Sequence, residues 1–493
     1  MKRKKFFNIV PLLTLLTLFG GIFAVKPALA ESRTLENKVL IDRVIRAYGG
    51  DKLINLKSLQ VTDRYKFFSR DQGPNPDVNS VSLLNSTLTV DFSSDKKSIK
   101  NWRQGANGNR LSETLFDGQT GWSINHLRGT YVENKSLTAE VVGAGMMRMV
   151  DTVLALRLAK NRHSAEFITH FTLAGKAVTS LSFESANKEK YFVHVETSTG
   201  LIIRMSRNSD FKTGPLYEFG NHKKIHGLTF AADMNMLVNG EPSFITTSRS
   251  FTVNTIYQQA FMLPKDFTQL KGFIDSSKMT VNKLAEKVYL VGEGTRFSIF
   301  VDAGEYYIGG GGLGDITKRL VAINESLGVD KPIKVQVIPD HHRGHLGAVK
   351  ELEEMGSRLV VAEQHRKIIE SLKMNKDQDG DFLVIEKQLE LANGLVEVFD
   401  INTAHADNYL LFYVPSAKLV FSAHHFGTNL IEALPGANNT IKTFRDEIER
   451  LNIDVEKYAN LHGPRILSAA DLDKVLSGYQ VKSCPPEHQI CMD

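Results

Sequence analysis

The texture of the sequence changes near residue 265, and this change most constrains the fold. From about Leu59 to Pro264 the chain consists mainly of short runs of β-branched and aromatic residues separated by turn residues, which is typical of antiparallel sheet. After Thr280 such runs alternate with amphipathic segments of helical periodicity, which predicts strands and helices stacked in layers. We therefore predict a β-rich α+β domain over residues 31–265, a linker over 266–280 and an α/β domain over 281–480.

Individual elements follow from the periodicity within each half. Helices are predicted at Leu35–Tyr48, Ala139–Leu158, Asp315–Leu327, Gly347–Met355 and Ile441–Leu451. Strands are predicted at Leu59–Phe68, Thr87–Phe92, Tyr191–Thr197, Leu201–Arg207, Phe244–Ile256, Val288–Val291, Phe297–Val301, Ile333–Ile338, Arg358–Val361, Val396–Phe399, Tyr409–Val414 and Leu419–Phe421.

Residues 1–30 have the three parts of a secretory signal. Met1–Lys5 is basic, Phe6–Ala24 is mainly apolar, and Ala28-Leu29-Ala30 is a small-x-small cleavage site. We therefore expect cleavage after Ala30 and export to the periplasm or beyond it. The alternative is an uncleaved anchor helix, which Pro11 and the cleavage signature disfavour. No later segment has the roughly 18 uninterrupted apolar residues that a membrane-spanning helix needs, so none is expected in the mature chain.

The net charge argues against a nucleic-acid partner, and the positions of the cysteines argue against their being zinc ligands. The formal net charge is +5, and the five basic residues of the signal account for it, leaving 55 basic and 55 acidic residues. A neutral chain gives no general electrostatic argument for a nucleic-acid partner. The two cysteines, Cys484 and Cys491, lie in the tail 481–493, where we predict a disulfide in an oxidising compartment. Nothing else in the sequence pairs with them at zinc spacing.

Histidines cluster after predicted elements of the second half. The segment Ile338–Ala348 follows an apolar strand, precedes an amphipathic helix, and contains Asp-His-His-Arg-Gly-His. Imidazole and carboxylate groups on one short loop can converge on a single cation, and zinc prefers such nitrogen and oxygen ligands. His405 and His424 follow further strands, and His462 follows a predicted helix. Four loops thus supply imidazole, which predicts one metal site rather than four isolated histidines.

This order of residues resembles the metallo-β-lactamase superfamily over about residues 280–466. In that family a strand ends in a His-x-His-x-Asp-His loop, later strand ends supply a further His and a bridging Asp, and a last His closes the site. The resemblance implies an αββα sandwich that binds one or two zinc ions. It also implies hydrolysis by metal-bound hydroxide.

The family motif maps onto six candidate metal ligands. They are Asp340, His342, His345, His405, His424 and His462. Two half-sites can be written, one from Asp340, His342 and His405 and the other from His345, His424 and His462. Three positions depart from the family: Asp340 replaces its first His, Gly344 its loop Asp and His424 its bridging Asp. Two carboxylates that would neutralise the cation are therefore missing.

The resemblance implies a metal-dependent hydrolase that cleaves an ester, lactone, amide or related bond in a small-molecule or lipid-like substrate. Because the site is altered, the alternative is a catalytically degenerate binding protein that uses the same cleft. Fold alone does not establish the substrate.

The first half resembles the periplasmic lipoprotein-carrier type of domain, a half-open antiparallel β-barrel with helices over its mouth. The segments that carry this resemblance are Ala47–Gly50, Phe116–Trp122 and Glu196–Arg204. It implies an apolar cavity for a lipid or another hydrophobic ligand. A structural β domain without a ligand is the equal alternative.

Two further motifs allow other interpretations. Gly309–Gly314 contains G-x-G-x-x-G between a strand and a helix, and Asp340 could act as a ribose-binding acid, so a dinucleotide-binding oxidoreductase is a rival. That rival explains neither the histidines nor the hairpin-like strands Tyr409–Phe421. Asn375–Glu386 fits the spacing of a calcium loop, but the strand-like Leu383–Ile385 favours a polar hairpin turn.

Overall fold

The computed structural model describes residues 38–105, 108–272, 277–374 and 382–479. Within these ranges the long strands form three sheets, the first built before residue 270 and the other two after residue 279. The division into domains over residues 31–265 and 281–480 remains a prediction. The predicted signal 1–30, the tail with Cys484 and Cys491, and residues 375–381 of the calcium-like segment lie outside the described residues.

The first sheet and its helices have the following bounds. The strands are β1 Ser58–Ser69, β2 Ser80–Asp91, β3 Lys96–Gly105, β4 Gly108–Phe116, β5 Gly121–Asn125, β6 Thr130–Glu133, β7 Glu166–Leu173, β8 Lys176–Glu184, β9 Lys190–Glu196, β10 Ile202–Ser206, β11 Pro215–Ile225, β12 Leu228–Val238, β13 Glu241–Val253 and β14 Thr268–Gln269. The helices are α1, whose described part covers 38–47, α2 Asp51–Ile54, α3 Ala144–Arg148 and α4 Asp151–Lys160.

The second half of the chain has its own set of elements. The second sheet contains β15 Thr280–Ala285, β16 Val288–Glu293, β17 Arg296–Asp302, β18 Tyr307–Gly310, β19 Ile333–Val337, β20 Arg358–Ala362 and β21 Phe382–Ile385. The third contains β22 Gln388–Leu391, β23 Val396–Ile401, β24 Tyr409–Val414, β25 Leu419–Ser422, β26 Lys457–Asn460 and β27 Gly463–Ser468. The helices are α5 Ile316–Leu327, α6 Val349–Glu354, α7 Glu363–Leu372, α8 Asn439–Leu451 and α9 Ala469–Leu476.

The first sheet is antiparallel except where β14 pairs parallel with β6, and its order is β14-β6-β5-β4-β3-β2-β1-β13-β12-β11-β10-β9-β8-β7. One face carries α1 and α4, because Leu59 and Val61 of β1 share a buried core with Val44 and Leu154. The β-rich prediction for this region is confirmed. Thr268 pairs with Thr130, so part of the predicted linker belongs to this sheet.

The opposite face of the same sheet is polar around β1 and β2 and carries a small apolar cluster, including Leu115 and Phe261, farther along the sheet. Side chains alternate between the two faces of a strand, so Gln60 and its partner Thr89 face away from the core residues Leu59 and Val61. A cavity of about 480 Å³ lies on this face. It is lined by polar side chains of the strands, such as Lys100, and by apolar residues of the segment 260–264, such as Met262 and Leu263. The apolar face is filled by helix side chains, and a lipid-like ligand for this region remains a prediction.

The prediction of a single helix at Ala139–Leu158 is wrong. The chain forms α3 and α4 instead, separated at Met149 and Val150. The Met149 carbonyl accepts a hydrogen bond from Arg249 Nη2 at 2.9 Å, so its backbone is tied to β13. At the start of α4 the buried carboxylate of Asp151 accepts from Ala231 N at 3.0 Å. Two anchors to distant strands therefore fix the break.

The second half forms four layers. One face of the second sheet shares a core with α5, α6 and α7, for example through Phe300, Ile323 and Leu352. Its other face packs on the third sheet, as Ile299 does with Phe412. The far side of the third sheet is covered by α8 and α9, whose buried residues, such as Phe444 and Leu472, pack in the same apolar cluster as that sheet. The order helix, sheet, sheet, helix is the αββα arrangement that the resemblance implies.

Strand direction brings the histidine loops to one edge of the third sheet. Strands β23 and β24 are antiparallel, as are β24 and β25, so β23 and β25 point the same way. Strand β26 is parallel to β25. His405, His424 and His462 follow β23, β25 and β26, so they emerge at the same edge. His462 lies in the β26–β27 turn and not directly after a helix as predicted, because β26 intervenes.

In the part of the chain that the structure describes, we find no helix with both the length and the apolar character needed to cross a bilayer.

Candidate metal centre

The loop after β19 carries the first three candidate residues. Its backbone is held by two neighbours: Ile338 N donates to Val360 O at 3.0 Å, and Leu410 N donates to Pro339 O at 2.7 Å. A short 3₁₀ turn, Arg343–His345, then closes the loop, with His345 N donating to His342 O at 2.7 Å. The bond from Leu410 N to Pro339 O ties the loop to β24 of the third sheet. The loop is therefore fixed between the two sheets.

Asp340 lies at the centre of the cluster and is completely buried. Its Oδ1 accepts a hydrogen bond from His342 N at 2.9 Å and contacts His345 Nδ1 at 2.5 Å. Burial alone raises the pKa of Asp340, but the nearby imidazoles, with His345 foremost, hold it well below its usual value. The side chain is thus an anion that can only accept hydrogen bonds, so His345 Nδ1 carries the proton in this contact.

Four buried atoms around Asp340 have no hydrogen-bond partner among the described residues. They are Asp340 Oδ2, His342 Nδ1, His345 Nε2 and His405 Nε2. An unpaired buried polar atom costs about 1–3 kcal/mol, so four in one place need a physical explanation. One ligand atom each from Asp340, His342 and His345 fits within 4.8 Å, a spacing that a metal ion can bridge.

The separations within the first half-site fit a shared cation. Asp340 Oδ2 lies 3.5 Å from His342 Nδ1 and 3.5 Å from His405 Nε2. These distances are long for hydrogen bonds. Two ligands bound about 2.1 Å from a tetrahedral zinc ion are roughly 3.4 Å apart. The residues present therefore fit a metal ion by separation, by burial and by donor type.

The His342 imidazole can supply a lone pair because it is neutral near pH 7. Burial lowers the pKa of His342 to about 4, although the Asp340 carboxylate opposes this effect. His342 Nε2 lies 3.0 Å from the carbonyl oxygen of Gly73, which can only accept, so Nε2 carries the proton and Nδ1 is left bare. His345 Nε2 has no hydrogen-bond partner among the described residues, and Nδ1 of the same ring is directed at Asp340.

The loop 402–408 places His405 next to this centre. Thr403 Oγ1 accepts from His405 N at 3.3 Å and contacts His425 Nε2 at 2.8 Å. The His405 ring packs against that of His342 with centroids 4.5 Å apart. A threonine hydroxyl thus joins two strand-end loops of the third sheet.

His424 and His462 form the exposed side of the cluster. His462 Nε2 and His424 Nδ1 are 2.6 Å apart, and the His424 ring lies 4.5 Å from the His345 ring, measured between centroids. Asn460 Oδ1 accepts from His462 N at 2.7 Å and shapes the tight turn between β26 and β27. A substrate would therefore reach the cluster from this side.

The structure brings all six predicted side chains into one cluster of touching rings around Asp340. Their role as metal ligands remains a prediction.

The glycine run has a packing role that disfavours the dinucleotide alternative. A Cβ on Gly312 would lie 1.5 Å from His345 O, and a Cβ on Gly310 would lie 2.7 Å from Ile299 Cγ2. The run therefore lets the chain approach the histidine loop and fit between the sheets. Asp340, the supposed ribose ligand, is buried among imidazoles instead.

Gly344 stands where the family has its loop carboxylate. A Cβ built on Gly344 would meet no atom within 4 Å. The structure therefore has room for a side chain at this position, and the carboxylate is missing only because the residue is glycine.

Sequence reasoning missed several residues next to the cluster. His341 and His365 are both buried, with their rings 4.9 Å apart. His365 is the third residue of α7, which directly follows β20, so a search for histidines just after strands would have found it. His425 is buried and stacks on Phe444. Gly73 acts through its backbone carbonyl, for which a sequence carries no signal.

Solved structures similar to this chain are metallo-β-lactamases. DIM-1 metallo-β-lactamase is 15% identical, with 41% of this chain and 96% of that chain covered and a TM-score of 0.32. The enzyme from Pontibacter korlensis is 20% identical, with 41% and 98% covered and a TM-score of 0.33. FIM-1 from Pseudomonas aeruginosa, in its mono-zinc form, is 14% identical, with 41% and 95% covered and a TM-score of 0.32.

No protein-family model matches the sequence, and no curated protein matches it. The interpretation of the site therefore rests on the geometry described above.

Proposed function

We propose that this chain is an exported metal-dependent hydrolase and that zinc is its metal. The observation that supports this most strongly is the convergence of Asp340 with bare imidazole nitrogens in one buried pocket. A buried anion surrounded by imidazole nitrogens that lack partners is a poor arrangement for a metal-free core but a good one for a divalent cation. His342, His405 and Asp340 would hold the ion in the first half-site.

A zinc ion held there supplies a Lewis acid and lowers the pKa of a water molecule towards neutrality. Asp340 adds the single negative charge of the site and also orients His345 through Oδ1, so one side chain links the two half-sites. A carboxylate that orients a histidine ligand in this way raises the basicity of the ring.

His424 and His462 have two possible duties that metal stoichiometry separates. With one ion bound, their 2.6 Å contact makes them a proton-carrying pair on the side where the substrate arrives. With two ions bound, they join His345 Nε2 as ligands of the second ion. One zinc per chain supports the first duty and two support the second.

The substrate class follows from the open side of the cluster. We propose that the substrate is a small or lipid-like molecule containing an ester, lactone, amide or related bond. Leu430 is 70% exposed, and it follows Asn429, which packs against Gly463 beside His462. Exposed apolar surface one residue from this contact favours a substrate with an apolar group.

The test is metal analysis combined with activity. Wild type purified without chelator should contain zinc and hydrolyse at least one member of a panel of esters, lactones and β-lactams. Both properties should disappear on chelation and return with zinc. His342→Ala and Asp340→Ala should lose both, whereas His163→Ala, which removes an exposed histidine far from the cluster, should not. A folded wild type that takes up no zinc and stays inert would refute the proposal.

Export has its own test. The mature protein recovered from outside the cytoplasm should begin at Glu31, which N-terminal sequencing would show. A chain that retains residues 1–30 would contradict the predicted cleavage.

A further inference from the structure

The connection between β1 and β2 of the first sheet reaches the candidate metal centre in the second half of the chain. These strands pair as far as Ser69 and Ser80, and the ten residues between them form a hairpin tip. At this tip Gly73 is buried, and its carbonyl oxygen lies 3.0 Å from His342 Nε2. His342 is itself only 1% exposed, so water has little access to this bond.

The same tip also holds the loop that carries His405. Asp407 N donates to Pro74 O at 2.7 Å, and Asn75 Nδ2 donates to Asp407 Oδ2 at 3.3 Å. Three consecutive residues, 73–75, therefore brace both histidine loops of the first half-site.

The tip is shaped to present its carbonyl. Asp77 N donates to Asn75 Oδ1, and Val78 N donates to Asn75 O, both at 3.2 Å, so the turn has an internal framework. A Cβ on Gly73 would lie 1.7 Å from Val78 O, so only glycine allows this close crossing. The position of the Gly73 carbonyl thus depends on the absence of a side chain.

We propose that this hairpin tip is an integral part of the metal site, with Gly73 as a positioning residue for His342. By accepting the Nε2 proton, the Gly73 carbonyl selects the tautomer in which Nδ1 faces Asp340. Metal-binding histidines commonly direct their second nitrogen at a carbonyl or carboxylate, and loss of that partner weakens metal binding about 10–100-fold. The first sheet would then control the affinity of a site built on the other two.

The affinity arm of this proposal rests on the proposed metal-dependent function, whereas the tautomer arm does not. In metal-free protein with ¹⁵N-labelled histidine, long-range NMR correlations report which ring nitrogen is protonated. We expect His342, assigned by its absence in His342→Gln, to be protonated on Nε2. Protonation on Nδ1 would overturn the proposal whether or not the protein binds metal.

Two variants and one control complete the test. Gly73→Ala forces residue 73 away from the Val78 carbonyl. Replacing residues 70–79 with Asn-Gly removes the whole tip while keeping a favourable hairpin turn. Gln72→Ala changes an exposed side chain that bonds only the Asp71 carbonyl within the described contacts. Circular dichroism and thermal unfolding would confirm that each variant folds.

Zinc affinity, measured by competition with a chelating dye, should fall about 10–100-fold in both tip variants and change less than about twofold in the control. The Nε2 tautomer of His342 should also lose population in the metal-free tip variants. A shortened hairpin that keeps wild-type affinity and the same tautomer would show that the tip only covers the site.

Discussion

Replacing Asp340 with asparagine should separate metal binding from folding. Asparagine has nearly the same shape, and its carbonyl oxygen can take the place of Oδ1, which contacts His342 N at 2.9 Å and His345 Nδ1 at 2.5 Å. Its amide nitrogen would replace Oδ2, which lies 3.5 Å from His342 Nδ1 and from His405 Nε2. The substitution therefore keeps the contacts that hold the loop and removes the charge.

The two expected effects differ in size. The metal-free variant loses a carboxylate that the surrounding imidazoles hold ionised, and it gains amide donors that face two nitrogens without partners. These contributions offset each other, so the free energy of unfolding should change by less than about 2 kcal/mol. Structural zinc sites release about 10–16 kcal/mol over some four ligands, so loss of the anionic ligand should weaken zinc binding by about 100-fold or more.

Thermal unfolding with chelator or with added zinc, together with chelator competition, would measure both quantities. Asp302→Asn is the control, because Asp302 lies at the end of β17 and pairs with Lys331 away from the cluster. A metal-free Asp340→Asn protein that is destabilised by more than about 2 kcal/mol and binds zinc as wild type does would make Asp340 a structural residue and refute the reasoning.

Three further predictions concern single residues. Gly312→Ala should destabilise the fold by about 3 kcal/mol in urea unfolding, because the added Cβ would lie 1.5 Å from His345 O. Gly436→Ala is the control and should cost under about 0.5 kcal/mol, because its Cβ would meet no atom within 4 Å. Equal effects of the two substitutions would contradict the packing argument. Burial, aided by Arg204, lowers the pKa of His194 from 6.5 to about 4, so the unfolded chain protonates first and stability is lost as the pH falls from 6.5 towards 4. His194→Gln should reduce that acid loss by up to roughly 3 kcal/mol, and identical pH profiles would disprove it. Gly344→Asp, which places a carboxylate in open space beside the cluster, should tighten zinc binding about tenfold in chelator competition; unchanged binding would mean that the new carboxylate does not reach the ion.

Much of the candidate site could be predicted because its determinants are local in sequence. A polar residue within a few positions of the end of an apolar strand lies at a sheet edge, and Asp340, His405 and His424 follow their strands by three, four and two residues. His462 was placed with the others even though its own strand, β26, was missed. Strand β26 has the sequence Lys-Tyr-Ala-Asn, and its two apolar residues are too few to show a strand pattern.

The rest of the structure depends on contacts between distant residues. The break between α3 and α4 is fixed by Arg249 and Ala231, which lie 100 and 80 residues from their partners Met149 and Asp151. The Gly73 carbonyl meets His342 across 269 residues. Nearly all residues carry the same backbone groups, so neither composition nor periodicity indicates which backbone carbonyl a distant side chain will contact.

The most direct test of the metal centre is anomalous X-ray scattering at the zinc edge from crystals of the zinc-loaded protein. We predict a peak between Asp340 Oδ2, His342 Nδ1 and His405 Nε2, with a second peak near His345 Nε2 if two ions bind. A zinc-loaded crystal with no peak among these atoms would contradict the account.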